Sequence, residues 1–192
     1  MTKINKPFLY LLLIFPAFIF LLLPTLLDQL GPRPWKKLLI HSGYCTLSLL
    51  TISLALAPLT KHFPRAQVFK ALSRHRRAIG ITVFLYAAFH LTCVLTKTIQ
   101  KKGCLPLDYF LHPVVYTGSL AFLILLLLTV TSTDWSIRSL GYRKWKNIHR
   151  SVYGVELLIF IHVFLKSSTL AFSFFIPLVL LQGVRVRRKD KR

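Results

Sequence analysis

Acidic residues are nearly missing from this 192-residue chain, which sets 5 Asp and Glu against 26 Lys and Arg for a formal net charge of +21. Such an excess usually marks a polyanion partner. Cysteine is scarce too. Cys45, Cys93 and Cys104 are odd in number and form no CxxC pair, which excludes a disulfide framework and a thiolate zinc site. The chain has no Walker loop, no GxGxxG and no HExxH, so no visible motif would let it bind a nicotinamide cofactor unaided. No helical stretch repeats another, and no polar segment is long enough to fold as a separate domain.

What is present is apolar. Hydrophobic residues make up 54% of the chain, including 15 Phe, 7 Tyr and 3 Trp. Most lie in uncharged runs near twenty residues long, separated by short basic loops, the pattern of a membrane protein with several spans. That excludes a soluble domain and argues against a nucleic-acid binder. Six apolar stretches stand out, at about 8–27, 39–59, 78–96, 113–131, 151–165 and 169–184. In lipid the backbone must satisfy its own hydrogen bonds, so each is expected to be a helix. The first follows Lys3 and Lys6 like a signal peptide, but no small-residue cleavage site follows it, and it reads as a retained helix. Pro16 and Pro24 are expected to kink it.

Sorting the basic residues by segment orients the helices. The N-terminus, the 61–77 loop, the 138–150 loop and the C-terminal tail hold 19 of the 26, and the alternate loops hold 7. By the positive-inside rule both termini are cytoplasmic. The expected fold is an all-α integral membrane protein, a six-transmembrane-helix bundle. It divides into a first helix and outer loop (1–37), a core (38–166), and a last helix with a basic tail (167–192). The tail reads as a lipid-headgroup anchor, with a docking site for a cytoplasmic partner as the alternative.

Polar residues at membrane depth then carry the information. His90 lies in the third stretch, His162 near the end of the fifth, and His149 opens the fifth. The third and fifth stretches both run outward. His90 is 13 residues beyond Arg77, and His162 is 13 beyond His149. At about 1.5 Å per residue both intervals are about 20 Å. His90 and His162 therefore share a level near the outer face, with His149 near the inner one. Two imidazoles at matched depth suit the axial ligands of a six-coordinate haem, and an imidazole near the other face could hold a second. On an ideal helix His149 and His162 fall roughly 140° apart, whereas Arg76 and His90 fall about 40° apart. Periodicity thus permits two haem levels without demonstrating them. Packing histidines remain an alternative, as does zinc or copper transport, although such sites usually add carboxylates or thiolates. Glu156 is the acid available inside a helical stretch.

These residues sit within a wider pattern: His41-Ser42-Gly43, Ala57-Pro58-Leu59, Arg76-Arg77-Ala78-Ile79-Gly80, His90-Leu91-Thr92, Thr131-Ser132-Thr133, Leu140-Gly141, Trp145 to His149, Tyr153 and His162. Across about residues 38–166 the chain resembles the MsrQ (YedZ) haem-binding membrane subunits, within the ferric-reductase-like transmembrane superfamily. The resemblance implies a bacterial inner-membrane electron carrier with haem b, one or two per chain. Its electrons would come from a cytoplasmic flavin reductase, or through bound FMN, and pass to a periplasmic molybdenum-containing enzyme that repairs oxidised methionine.

By the same likeness His90 and His162 are the outer-haem ligands and His149 an inner-haem ligand. Related oxidases and ferric reductases carry two histidines on the third helix. Arg76 occupies the inner of those positions here, leaving neighbouring His75 as a substitute. Arg74, Arg76 and Arg77 could pair with haem propionates or a flavin phosphate, or simply anchor the inner helix end. Gly43 and Gly80 could admit a macrocycle or a neighbouring helix. Glu156 reads as a protonated structural acid or as a proton-handling or ligand-tuning group. His41 and His112 read as interfacial, and His62 is assigned no role. The expected function is an electron-transfer subunit more than an enzyme with its own substrate. A ferric or quinone-linked reductase of the same fold is the rival, and a haem-free scaffold or metal transporter is the rival from another class.

Overall fold

The computed structural model describes Leu23 and residues 34–187, with side chains as far as Gly183. The first apolar stretch, its two prolines and the end of the basic tail lie outside the described residues. All regular structure among the described residues is helical: α1 (Pro34–His62), α2 (Gln67–Arg74), α3 (Arg76–Lys102), α4 (Leu107–Leu111), α5 (Pro113–Val130), α6 (Asp134–Leu140), α7 (Tyr142–His149), α8 (Val152–Phe164) and α9 (Ser168–Arg187). Three of these, α1, α3 and α5, are long and apolar enough to cross a bilayer. Their outward faces are apolar as well, with Ile52, Leu85 and Leu123 about half exposed, as a hydrocarbon surround requires.

The described residues divide into two compact units, one of those before 105 together with those from 177 on, and the other of residues 105–176. In the first, α1 and α3 pack antiparallel. Leu38 meets Cys93 at one end and Leu56 meets Ile79 at the other. The buried side of α1 includes Ser42, Cys45, Thr46 and Ala55. Without a hydrophobic drive between helices in lipid, such small residues allow the backbones close van der Waals approach. Hydroxyls at these depths are satisfied within their own helix, as where Thr46 Oγ1 donates to the Ser42 carbonyl at 2.9 Å. Among the described residues no buried side-chain nitrogen or oxygen lacks a partner.

In the second unit α5 and α8 form another antiparallel pair, with Val114 beside His162. Pro113 opens α5 at a position where a missing N–H costs nothing. Thr133 caps α6, its side chain accepting from the Ser136 N–H at 3.0 Å. Phe160 of α8 packs edge-on against Phe175 of α9, with ring centroids 5.4 Å apart.

Two expectations are corrected. The basic 61–77 and 138–150 segments are not plain loops, since the first contains α2 and the second the end of α6 and all of α7. His149 does not open the fifth helix either; it ends α7, and α8 begins at Val152. The cause lies at Ser151. Its N–H bonds the Ile148 carbonyl at 3.0 Å, and its hydroxyl donates to the same carbonyl at 2.7 Å. Tyr153 N–H likewise reaches back only to Arg150. These short-range bonds tighten the turn toward 3₁₀ geometry, which winds about 120° per residue instead of about 100°. The ideal-wheel angle between His149 and His162 therefore does not apply. Arg76 and His90, by contrast, do share the uninterrupted α3.

Candidate functional site

His90 is half-buried on α3 and turned onto α1. Its Nδ1 lies 3.0 Å from the Leu39 carbonyl oxygen and 3.2 Å from Ser42 Oγ. A carbonyl can only accept, so Nδ1 carries the proton, and the lone pair of the neutral ring sits on Nε2. Ser42 Oγ, fully buried, itself donates to the Leu39 carbonyl at 3.1 Å. Its oxygen therefore accepts a share of the Nδ1–H. Gly43 supplies the room: a Cβ there would stand 3.0 Å from His90 Cε1 and 3.2 Å from Nδ1.

His162 repeats this arrangement in the other unit. Its Nδ1 donates to the Val114 carbonyl at 2.8 Å, which again leaves the lone pair on Nε2. A Cβ on Gly118 would fall 2.9 Å from both Nδ1 and Cε1 of that ring. An acceptor on Nδ1–H that fixes tautomer and ring orientation is the usual support for a metal-ligating histidine.

His149 is held the other way round. Its Nε2 lies 3.2 Å from Thr131 Oγ1, and that hydroxyl donates to the Leu127 carbonyl at 2.7 Å. The hydroxyl proton being used, Nε2–H is the donor, and the lone pair sits on Nδ1. Trp145 braces the pair. Its Nε1–H donates to the Thr131 carbonyl at 2.9 Å, and its ring packs 4.3 Å from the His149 ring. Tyr142 stacks on Trp145 at 6.0 Å. Because Val114 and Thr131 are 17 residues apart along α5, His162 and His149 lie about 25 Å apart along the helix axis. That is most of the ~30 Å hydrocarbon thickness.

The remaining expected residues are placed as follows. Arg76 and Arg77 are exposed in the first turn of α3, with Arg74 exposed at the end of α2. Cations at that end oppose the helix dipole, so an anionic neighbour would favour them there. His75 sits in the bend between α2 and α3. Glu156 is buried in α8. Gly80 has open space where a Cβ would be and makes no close approach. Among the described residues no three His, Cys, Asp or Glu side chains converge as a metal-ion cage.

Sequence reasoning pointed to the imidazoles but missed Leu39, Val114, Thr131 and Trp145 as their partners, and Gly118 altogether. Gly118 did leave a signal. A glycine inside an apolar helix gives up about 1 kcal/mol relative to alanine, a cost that suggests something approaches its backbone.

Apolar helices of spanning length, with His90 inside one of them and His162 inside the shorter apolar α8, each imidazole bonded to a carbonyl of the facing helix, define a helical membrane protein. The family model described as ferric reductase like transmembrane component matches residues 42–161, and the chain belongs to that family. It is 35% identical over 136 residues to the protein-methionine-sulfoxide reductase heme-binding subunit MsrQ of Azospira oryzae, covering 70% of this chain and 57% of the relative. It is 34% identical over 140 residues to the MsrQ of Herminiimonas arsenicoxydans, covering 72% and 62%. The magnetosome protein MamZ of Magnetospirillum gryphiswaldense is 30% identical over 141 residues, 73% of this chain and 21% of that protein. The chain thus spans less than two thirds of the length of each of these relatives. No solved structure matches it.

Proposed function

We propose that this protein is a haem b electron-transfer subunit of a bacterial inner membrane, a six-helix bundle with both termini cytoplasmic. It would take electrons from a cytoplasmic flavin reductase, or through bound FMN, and deliver them to a periplasmic molybdenum-containing protein-methionine-sulfoxide reductase. The observation that carries the reading is the repeated support of His90 and His162. Each donates Nδ1–H to a helix carbonyl and so keeps the lone pair on Nε2.

The residues fit haem. It asks for one or two neutral imidazoles, and glycine cradles that a Cβ would fill let those rings sit against the helix backbone. When bound, haem supplies one-electron chemistry at its iron, and the protein supplies ligation, orientation and tuning. His90 and His162 are the proposed outer-haem ligands, at the matched depth read from the sequence. His149 is the proposed inner ligand, its ring held by Thr131 and Trp145. Arg76 and Arg77 are proposed to pair with propionates or a flavin phosphate. The names of the MsrQ relatives favour methionine-sulfoxide repair over a ferric or quinone-linked reductase.

The test is an absorption spectrum of the protein purified from haem-replete cells, oxidised and then dithionite-reduced. A Soret band that shifts on reduction and a sharp α band are expected, whereas a colourless preparation sinks the reading. Reoxidation of the reduced haem by a periplasmic molybdenum methionine-sulfoxide reductase and its substrate tests the acceptor.

A further inference from the structure

We propose that Gly43 with the Leu39 carbonyl, and Gly118 with the Val114 carbonyl, are two imidazole seats that position His90 and His162 for iron. Ser42 makes the first seat the more electron-donating. The proposal rests on the reading of these histidines as haem ligands.

Both seats have the same construction, a carbonyl at position i and a glycine at i+4 on one helix. Inside an α-helix the carbonyl of residue i already accepts the N–H of residue i+4. Its second lone pair can take a side-chain donor, and here the imidazole shares it with the preceding hydroxyl, but Cβ of residue i+4 tilts toward the helix N-terminus and stands over the approach. Glycine removes that obstacle. At Gly43 a Cβ would meet the His90 ring at 3.0 Å, and at Gly118 it would meet the His162 ring at 2.9 Å. A ring pushed away from either helix loses the Nδ1–H bond that sets its tautomer. The histidine and its carbonyl are 51 residues apart in one hairpin and 48 in the other. The device is therefore built twice, on Leu39-Ile40-His41-Ser42-Gly43 and on Val114-Val115-Tyr116-Thr117-Gly118, and in each the hydroxyl before the glycine donates to the seat carbonyl.

Ser42 adds a second acceptor to His90 Nδ1–H. Drawing that proton away from the ring raises electron density at Nε2, which favours ferric over ferrous iron. Ser42, Gly43 and Gly118 are positioning residues, acting on iron only through the imidazoles.

The experiment uses the haem-loaded full chain and the variants Ser42→Ala, Gly43→Ala and Gly118→Ala, with Gly154→Ala as control, since a Cβ at Gly154 meets nothing within 4 Å. Readouts are haem per chain, the low-temperature EPR spectrum of the ferric form, and the midpoint potential by spectroelectrochemistry. Ser42→Ala should keep its haem and raise the midpoint potential, by up to about tenfold in the ferric/ferrous equilibrium, ~59 mV for one electron. Gly43→Ala and Gly118→Ala should lose roughly 10- to 100-fold in haem affinity or change from a low-spin to a high-spin ferric spectrum. Gly154→Ala should match the wild type. Unchanged spectra and haem content in both seat-glycine variants would overturn the seats, and an unmoved potential in Ser42→Ala would overturn its tuning role. If one glycine variant fails to accumulate, the other decides the seats, and the Ser42→Ala potential decides the tuning. A wild-type chain without haem removes the underlying reading; a haem-loaded wild type with unchanged variants removes only this inference.

Discussion

The His162 imidazole donates its Nδ1–H to the carbonyl of Val114, 48 residues earlier, at 2.8 Å. That bond ties α8 to α5 and decides which ring nitrogen keeps its lone pair. His90 and Leu39 make the corresponding bond at 3.0 Å.

Replacing His90 or His162 with Ala should each remove one haem equivalent per chain, measured as pyridine haemochrome against protein. Full haem content in either variant would refute that ligand.

Topology is testable with the native cysteines. Cys104 is exposed beyond the end of α3, while Cys45 and Cys93 are buried. A membrane-impermeant maleimide applied to spheroplasts should label Cys104 and leave the other two until denaturation. Labelling of Cys104 only after the inner membrane is opened would reverse the orientation.

Trp145→Phe keeps the ring that packs on His149 but deletes the indole N–H that reaches the Thr131 carbonyl. The loss should cost about 1 kcal/mol, seen as a lower thermal midpoint in detergent. Features of the proposed outer haem should stay unchanged, because Trp145 lies beside His149. An altered outer-haem spectrum would contradict the two-level assignment.

Thr133→Ala removes the N-cap of α6 and should destabilise the 134–149 segment by about 1 kcal/mol. Hydrogen exchange should quicken at the Ser136 and Ile137 amides and leave those of α3 unchanged. Uniform exchange rates across variant and wild type would deny the cap a role.

Much of the scaffold was legible from local pattern. The apolar runs marked α1, α3, α5, α8 and α9 because a lipid-facing helix needs no periodicity to be recognised, only length and freedom from charge. The amphipathic helices α2, α6 and α7 were hidden, since short basic segments of mixed polarity read equally well as loops. The break before α8 was hidden as well. It depends on the Ser151 hydroxyl choosing the Ile148 carbonyl over solvent, a choice that composition does not reveal.

Sequence alone determined the membrane class, and it set the expectations for the direction of each helix and for which histidines lie at depth. These follow from charge placement and from a rise of about 1.5 Å per residue, both properties of the chain taken one segment at a time. Only the tertiary structure decided what each imidazole does with its proton. His90 and His162 give Nδ1–H to carbonyls, whereas His149 gives Nε2–H to Thr131. Those carbonyls belong to the facing helix of each hairpin, some fifty residues away. Every residue carries the same carbonyl, so no residue type marks the one that will accept. Packing selects it, where a glycine lets the ring come close.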